Sequence, residues 1–414
     1  MLTDFPSALH WNLNGADSHM YAKGGEIVFG SPLRLDLKIL CTHATPFRKN
    51  LDLWPAIPLV IDYNAYWGGD EGESHILDDV IAALEQPDRI RRVRISVTTP
   101  MLRELAMAMQ EPFPMLTHLW LSSKDEIMPV LPETFLGNHL PSLRSAHLEG
   151  ISFAALPTIL LSSTDLVDLQ LLNIPKTCYV SPDATVACLT GLTRLETLSI
   201  GFQMPPWSPS RRSLPPFIPI DLPSLTSFNF QGVNAYLEDL VAQIDTPLLK
   251  TISIMYFNRY RFRTPRLSEF ISRTKSLDPS RFKRARVDFG SNTVCVRLDC
   301  DQAEQLERHF ILRISNDRLE RLRMQVFLMG FVLSQCFAVA TLTSVEDLTI
   351  DAPDLHRIET TTQRWGILRP FAAAKTLHIS KKFAAHITEK LVAEMFPALR
   401  SLSFEDEPTC VGGL

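Results

Sequence analysis

The sequence predicts an α/β solenoid in which short parallel strands alternate with short helices. Three observations carry that prediction: an apolar phrase that recurs at near-constant spacing, polar residues that alternate with its strand positions, and helical periodicity in between. The phrase is Leu-x-x-Leu-x-Leu. It begins at Leu116 and returns at Leu143, Leu166, Leu195, Leu225 and Leu249, then, after a gap, at Val345, Ala374 and Leu399. Ile90-x-x-Val93-x-Ile95 fits at the front, and successive first positions lie 23 to 30 residues apart on either side of the gap. That is the period of a degenerate leucine-rich repeat, in which each unit buries its apolar face only by stacking on its neighbours.

Within each phrase the first apolar residue plugs a turn into the core. The next two are two residues apart, so they point to one face of a short strand. Leu119, Leu169, Leu198, Phe228, Ile252, Leu348, Leu377 and Leu402 are the inward positions this assigns. The alternate positions are polar: His118 and Trp120, Ser145 and His147, Asp168 and Gln170, Thr197 and Ser199, Ser227 and Asn229, Thr251 and Ser253. A sheet covered on both faces reads as continuous Val, Ile and Leu. This alternation instead predicts helices on one face only, a horseshoe with its parallel strands on the concave side in chain order.

Helical spacing recurs at residues 75–84, 101–109, 153–161, 236–244, 267–272 and 384–395. Each is too short to persist alone and needs the sheet beneath it. Pro141, Pro223, Pro247 and Pro397 precede strands, where proline ends a helix and extends its predecessor. Residues 1–30 read as an irregular segment, 31–405 as the repeat array and 406–414 as a tail. Two stretches break the period. Residues 203–218 (QMPPWSPSRRSLPPFI) predict an irregular loop. Residues 287–315 predict two longer strands, 287–298 and 309–314, as a hairpin, with Phe282-x-x-Ala285-x-Val287 as a degraded repeat leading in. A long apolar helix over 319–340 restarts the array.

At 414 residues, 45% hydrophobic and 21% charged, the chain has the composition of a folded protein. A net charge of −5 gives no field to draw nucleic acid or an anionic membrane. Seven scattered cysteines without a C-x-x-C pair, no N-x-S/T sequon and no leader at the N-terminus predict a reducing compartment, cytoplasmic or nuclear. Residues 326–342 are apolar enough to raise a membrane span. Ser334 and Gln335 interrupt them and a repeat strand follows, which favours a buried helix. The C-terminal CVGGL places Cys410 fifth from the end, where a prenylation box needs it fourth.

The segment SPLRLDLKILCT (31–42) followed by LDLWPAIPL (51–59) resembles the stretch after the F-box in the expanded F-box-domain family of basidiomycete fungi. The resemblance continues through MQEPFPMLTHLWL, LPETFLGNHLPSLRSAHLEGI, LLSSTDLVDLQL, CLTGLTRLETLSIGFQ, YLEDLVAQIDTPLL and EFISRT, and so covers residues 31–405. It implies a substrate receptor of a cullin-type ubiquitin ligase, non-catalytic, whose repeats bind the substrate and whose F-box docks on an adaptor. The first 30 residues lack the Leu-Pro-x-Glu helix that opens an F-box. The expectation is therefore either a repeat-only relative, acting as a stand-alone scaffold, or a chain whose F-box is missing, and the adaptor is a partner only if an F-box exists upstream.

A protein is the expected partner, of no readable identity, and the polar ladder Trp120, His147, Gln170, Ser199, Asn229 and Ser253 is the first candidate surface. Trp120 and His147 are neighbours across the sheet and form an anchor unless an early helix or the N-terminal segment covers them. A second candidate is the segment 259–286, with ten basic residues among aromatics, in which Arg259, Tyr260, Arg261 and Arg263 suit phosphate or an acidic peptide. The alternative for that segment is a solvated solenoid edge. His378 and His386 lack a third ligand, so no metal is expected. No G-x-S-x-G, P-loop or Rossmann glycine pattern occurs, so neither catalysis nor a cofactor is expected.

Overall fold

The computed structural model describes residues 9–12, 36–40, 58–64, 73–123, 125, 129–152, 156–175, 178–203, 219–257, 263–290, 293–300, 309–315, 322–337, 339–351, 362–384 and 389–405. The protein is α/β, built of largely parallel sheet with helices on one face, and its strands recur with the spacing of the Leu-x-x-Leu-x-Leu phrase. It divides into two compact units, Met1–Tyr179 with Gly191–Leu195, and Val180–Thr190 with Glu196–Leu414.

In the first unit, β1 (Leu9–Asn12), β2 (Asp36–Leu40), β3 (Leu59–Asn64), β4 (Ile90–Val97), β5 (His118–Ser123), β6 (Ser145–Glu149) and β7 (Asp168–Ile174) lie side by side in chain order. Only β1–β2 is antiparallel. The N-terminal segment, read from sequence as irregular, thus contributes a strand at residues 9–12. Val93, Leu119, Ala146 and Leu169 share one register row and Ile95, Leu121, Leu148 and Leu171 the next, all buried. Behind them pack α1 (Glu73–Leu84), α2 (Thr99–Ala108) and α3 (Leu156–Ser162). Between β5 and β6 the chain turns at Phe135–Asn138, where Leu136, Gly137 and Asn138 all have φ near +56 to +58°. A Cβ on Gly137 would stand 2.7 Å from Pro112, so glycine permits this close approach.

Two hydrogen bonds recur along the array. The first apolar residue of the phrase donates its N–H three residues back, as Leu116 to Phe113, Leu143 to Leu140, Leu225 to Leu222 and Leu249 to Thr246. The next residue donates to the preceding repeat: Thr117 to Arg91, Arg144 to Thr117, Lys250 to Thr226, Lys375 to Glu346. Pro114, Pro141, Pro223, Pro247 and Pro397 therefore sit at the second position of a four-residue turn, where a fixed φ is favourable. Stopping a helix is the lesser part of their role.

The second unit contains α4 (Pro182–Leu189), β8 (Thr197–Phe202), β9 (Ile220–Asp221), β10 (Ser227–Gly232), α5 (Asn234–Val241), β11 (Ile244–Asp245), β12 (Thr251–Phe257), α6 (Pro265–Arg273), β13 (Phe282–Phe289), β14 (Thr293–Cys300), β15 (His309–Ser315), α7 (Leu322–Cys336), β16 (Asp347–Asp351), β17 (Thr376–Ser380), α8 (Lys381–Ala384), α9 (Glu389–Met395) and β18 (Ser401–Glu405). β9 and β11 form a separate two-stranded sheet. The main sheet departs from chain order: β8-β10-β12-β15-β14-β13-β16-β17-β18. The expected hairpin is instead a three-stranded antiparallel meander inserted backwards. The span 287–298 is broken at Gly290, whose N–H bonds to the Thr293 carbonyl at 2.9 Å. Two antiparallel steps restore strand polarity, so β15 runs parallel to β12 and β13 parallel to β16. Ala285 and Val287 align with Leu348 and Ile350, as the degraded phrase predicts.

Helix α7 covers the meander. Val326, Leu328, Met329, Val332, Leu333 and Cys336 are buried, and Phe337 meets Phe310 edge-on at 4.9 Å. The predicted helix over 319–340 is thus shorter, with a 3-10 turn at Val339–Ser344. Among the described residues no helix is long and apolar enough to cross a membrane. Burial holds the Cys336 thiol up at about 12. The predicted helix 384–395 is present as α8 and α9, with 385–388 outside the described residues, as are 204–218 of the loop. One inward assignment fails. Leu402 is 41% exposed and Phe404, next along the same face of β18, 53%. The other seven inward residues are buried, whereas β18 stands last in the strand order and pairs with β17.

Polar ties join successive helices of this unit. The Glu238 carboxylate on α5 accepts the N–H groups of Arg266 and Leu267 at the start of α6, each at 3.0 Å. Gln335 on α7 accepts from Thr264 N–H at 2.7 Å. These caps satisfy donors that a helix start leaves open. Burial raises the Glu238 pKa, outweighing the two N–H bonds that lower it. A raised folded-state pKa means the folded chain binds the proton first, so this contribution to stability falls as pH rises from the ordinary carboxylate value through the raised one. Glu238→Gln does not titrate. The stability of wild type minus variant, from urea unfolding, is expected to decline across that window; a flat or rising difference contradicts it. At neutral pH the variant loses one charge-assisted acceptor, at a cost of about 1–3 kcal/mol.

Candidate functional site

The outward faces of the strands carry the polar residues, in rows fixed by parallel register. In the first unit the middle row is Asp62, Arg94, Trp120, His147, Gln170 on β3 to β7. Register places each side chain against the next, and here the neighbours stack. The Arg94 guanidinium lies 4.1 Å from the Trp120 ring centroid. On the other side the His147 ring is 4.3 Å from Trp120, tilted by 35°. His147 Nδ1 and Gln170 Oε1 are 3.0 Å apart, so the imidazole donates to the amide, and Gln170 Nε2 in turn donates to Asp168. Trp120 is thereby clamped between a cation and an aromatic ring, with 36% of its surface exposed.

His147 does not stand open as its strand position predicts: it is 9% exposed, sandwiched between Trp120 and Gln170. Its Nε2 is buried without a hydrogen-bond partner, since Glu149 Oε2 at 3.7 Å is beyond that reach. Glu149 is itself held by Ser122 at 3.2 Å and Asn173 at 3.0 Å. The row beside it runs Arg92, His118, Ser145, Asp168. Burial lowers the His118 pKa, and Arg92, Arg91 and Arg144 lower it further, which keeps the imidazole neutral amid arginines. The platform is thus basic towards β4 and acidic towards β6 and β7. Arg94 was legible by the rule that picked Trp120: it lies between Val93 and Ile95 of the front phrase.

In the second unit Ser199, Asn229 and Ser253 share a register row on β8, β10 and β12. Asn229 Nδ2 donates to Ser199 Oγ at 3.1 Å. Ser199 is buried, a correction to its expected exposure, because its short side chain lies under that amide. This stretch offers small neutral groups and no aromatic anchor.

Of the basic segment, Arg259, Tyr260 and Arg261 lie outside the described residues. Arg263 is exposed, and its carbonyl accepts from Asn234 Nδ2 at 2.7 Å. His378 is bonded to Ser403 Oγ at 2.7 Å, and among the described residues no group of His, Cys, Asp and Glu is placed to hold a metal. His386 lies outside them.

No family model and no curated protein matches the chain. Among solved structures it is similar to the leucine-rich repeat-containing protein LegL7 from Legionella pneumophila, at 14% identity over 73% of this chain and 87% of that one, with a TM-score of 0.30.

Proposed function

We propose that the chain is a non-catalytic protein-binding repeat module, and that its partner meets the outward face of the first unit around Trp120. The observation that carries this is the Arg94–Trp120–His147 stack. A surface tryptophan immobilised on both faces has little side-chain freedom left to lose on binding, which is the property of an interface anchor. The resemblance to fungal F-box proteins supports a finer reading, the substrate-recognition part of a ubiquitin-ligase receptor. A stand-alone scaffold is the second reading.

Proximity labelling in cells, followed by binding measurements with the recovered partner, tests both. Trp120→Ala is expected to weaken the complex by about 2 kcal/mol or more, roughly thirtyfold. Its thermal midpoint should stay near that of wild type, because the ring is partly exposed. Arg261→Glu is expected to leave binding unchanged; if it alone matters, the basic segment is the binding surface. Recovery of a cullin adaptor with the wild type supports the ligase reading, and its consistent absence supports the scaffold.

A further inference from the structure

The backward meander brings together arginines that are far apart in the sequence. On its outward face, Arg297 of β14 stands directly opposite Arg286 of β13. Its diagonal neighbours are Arg284 and Asp288 on β13 and His309 and Arg313 on β15. Like charges directly opposed in a sheet destabilise it. The two arginines of β13 have carboxylate partners: Arg286 pairs with Asp288 on its own strand at 2.6 Å and with Asp351 of β16 at 3.0 Å, and Arg284 with Asp347 of β16 at 4.0 Å. Arg297 and Arg313 are exposed, and among the described residues no carboxylate lies within ion-pair distance of either. Arg313 faces Cys295, whose thiol burial keeps protonated, so it supplies no counter-charge. Asp299, two residues from Arg297 on β14, is half-buried; burial raises its pKa while the charges of Arg297, His309 and Arg284 lower it, so it offsets part of the positive charge without an ion pair to Arg297.

We infer that Arg297 and Arg313 form a binding site for a carboxylate-rich segment of a protein partner. The spacing selects this class. Diagonal positions on adjacent strands are about 7–8 Å apart. Alternate side chains of an extended chain repeat at roughly 7 Å, so two acidic residues, one apart, reach both guanidiniums. Phosphate is the competing anion, and the displacement measurement below separates it from a carboxylate-rich chain. Guanidinium forks also match carboxylates in bidentate geometry. The net charge of −5 means no general attraction of anions accounts for such binding. The site is independent of the Trp120 platform.

The test is fluorescence anisotropy of fluorescein-labelled octaglutamate with the full chain at low ionic strength. Arg297→Gln and Arg313→Gln are each expected to weaken binding about tenfold. Arg297→Gln should at the same time leave the thermal midpoint unchanged or raised, since it removes the opposition to Arg286, so loss of binding is not loss of fold. Trp120→Ala and Arg263→Glu should leave octaglutamate binding intact. The inference is overturned if the wild type does not bind octaglutamate, if neither glutamine variant weakens binding, if Arg263→Glu is the change that does, or if inorganic phosphate displaces the peptide at concentrations comparable to its carboxylates.

Discussion

Phe310→Ala is expected to lower the unfolding free energy by about 3–5 kcal/mol, the range for deleting a buried aromatic side chain. Phe310 lies on β15 with no exposure and pairs in register with Ile252 on one side and Leu298 on the other. Phe337 closes over it from the end of α7, edge to face at 4.9 Å. Truncation leaves a cavity roofed by a ring that cannot collapse onto the sheet without breaking the contact with Phe282, at 6.5 Å. Urea unfolding, followed by a probe within the second unit, measures the loss. A cost below about 1 kcal/mol contradicts the buried meander, because it would class the position with surface sites.

Leu198→Ala is expected to cost about 2–5 kcal/mol by the same transfer and cavity terms. Leu198 is the middle apolar residue of its phrase, fully buried on β8, and faces Phe228 of β10 in register. The following row, Ile200 against Phe230, carries an aromatic cluster in which Phe230 stacks on Tyr236 at 5.9 Å and Phe202 meets Tyr236 edge-on at 4.8 Å. Stiff rings close by limit relaxation, which argues for the upper part of the range. Equilibrium unfolding of the variant checks it, and a change within about 0.5 kcal/mol is the surface-site result that would remove Leu198 from the core.

These two residues differ in how far the sequence alone reaches them. Leu198 follows from the phrase: two apolar residues two apart, preceded by a third that plugs a turn, leave one face to bury. The same reasoning assigns Leu119, Leu169, Phe228, Ile252, Leu348 and Leu377, all buried. Phe310 belongs to no phrase. The signal that locates its meander is the sequence Gly290-Ser291-Asn292, residue types that favour a turn, a local cue that the long apolar alternation of 287–298 masks. Even with that turn recognised, sequence does not say that three strands enter the sheet in reverse order. That depends on pairings between strands far apart in the chain, β12 with β15 and β13 with β16.

The candidate surfaces divide in the same way. That Trp120 and His147 are cross-strand neighbours follows from equal spacing within two phrases. That His147 is nearly buried, with Arg94 completing the clamp, depends on side-chain packing across three strands. Arg297 and Arg286 are eleven residues apart in sequence and opposed only because β13 and β14 pair with that register. The sequence by itself determined the repeat, its inward and outward faces and the turns that join them, because each depends on residues within one period. The tertiary structure alone decided the strand order of the meander, the exposure of Leu402 and the convergence of the arginines. Those depend on contacts between segments whose separation in the chain carries no local pattern.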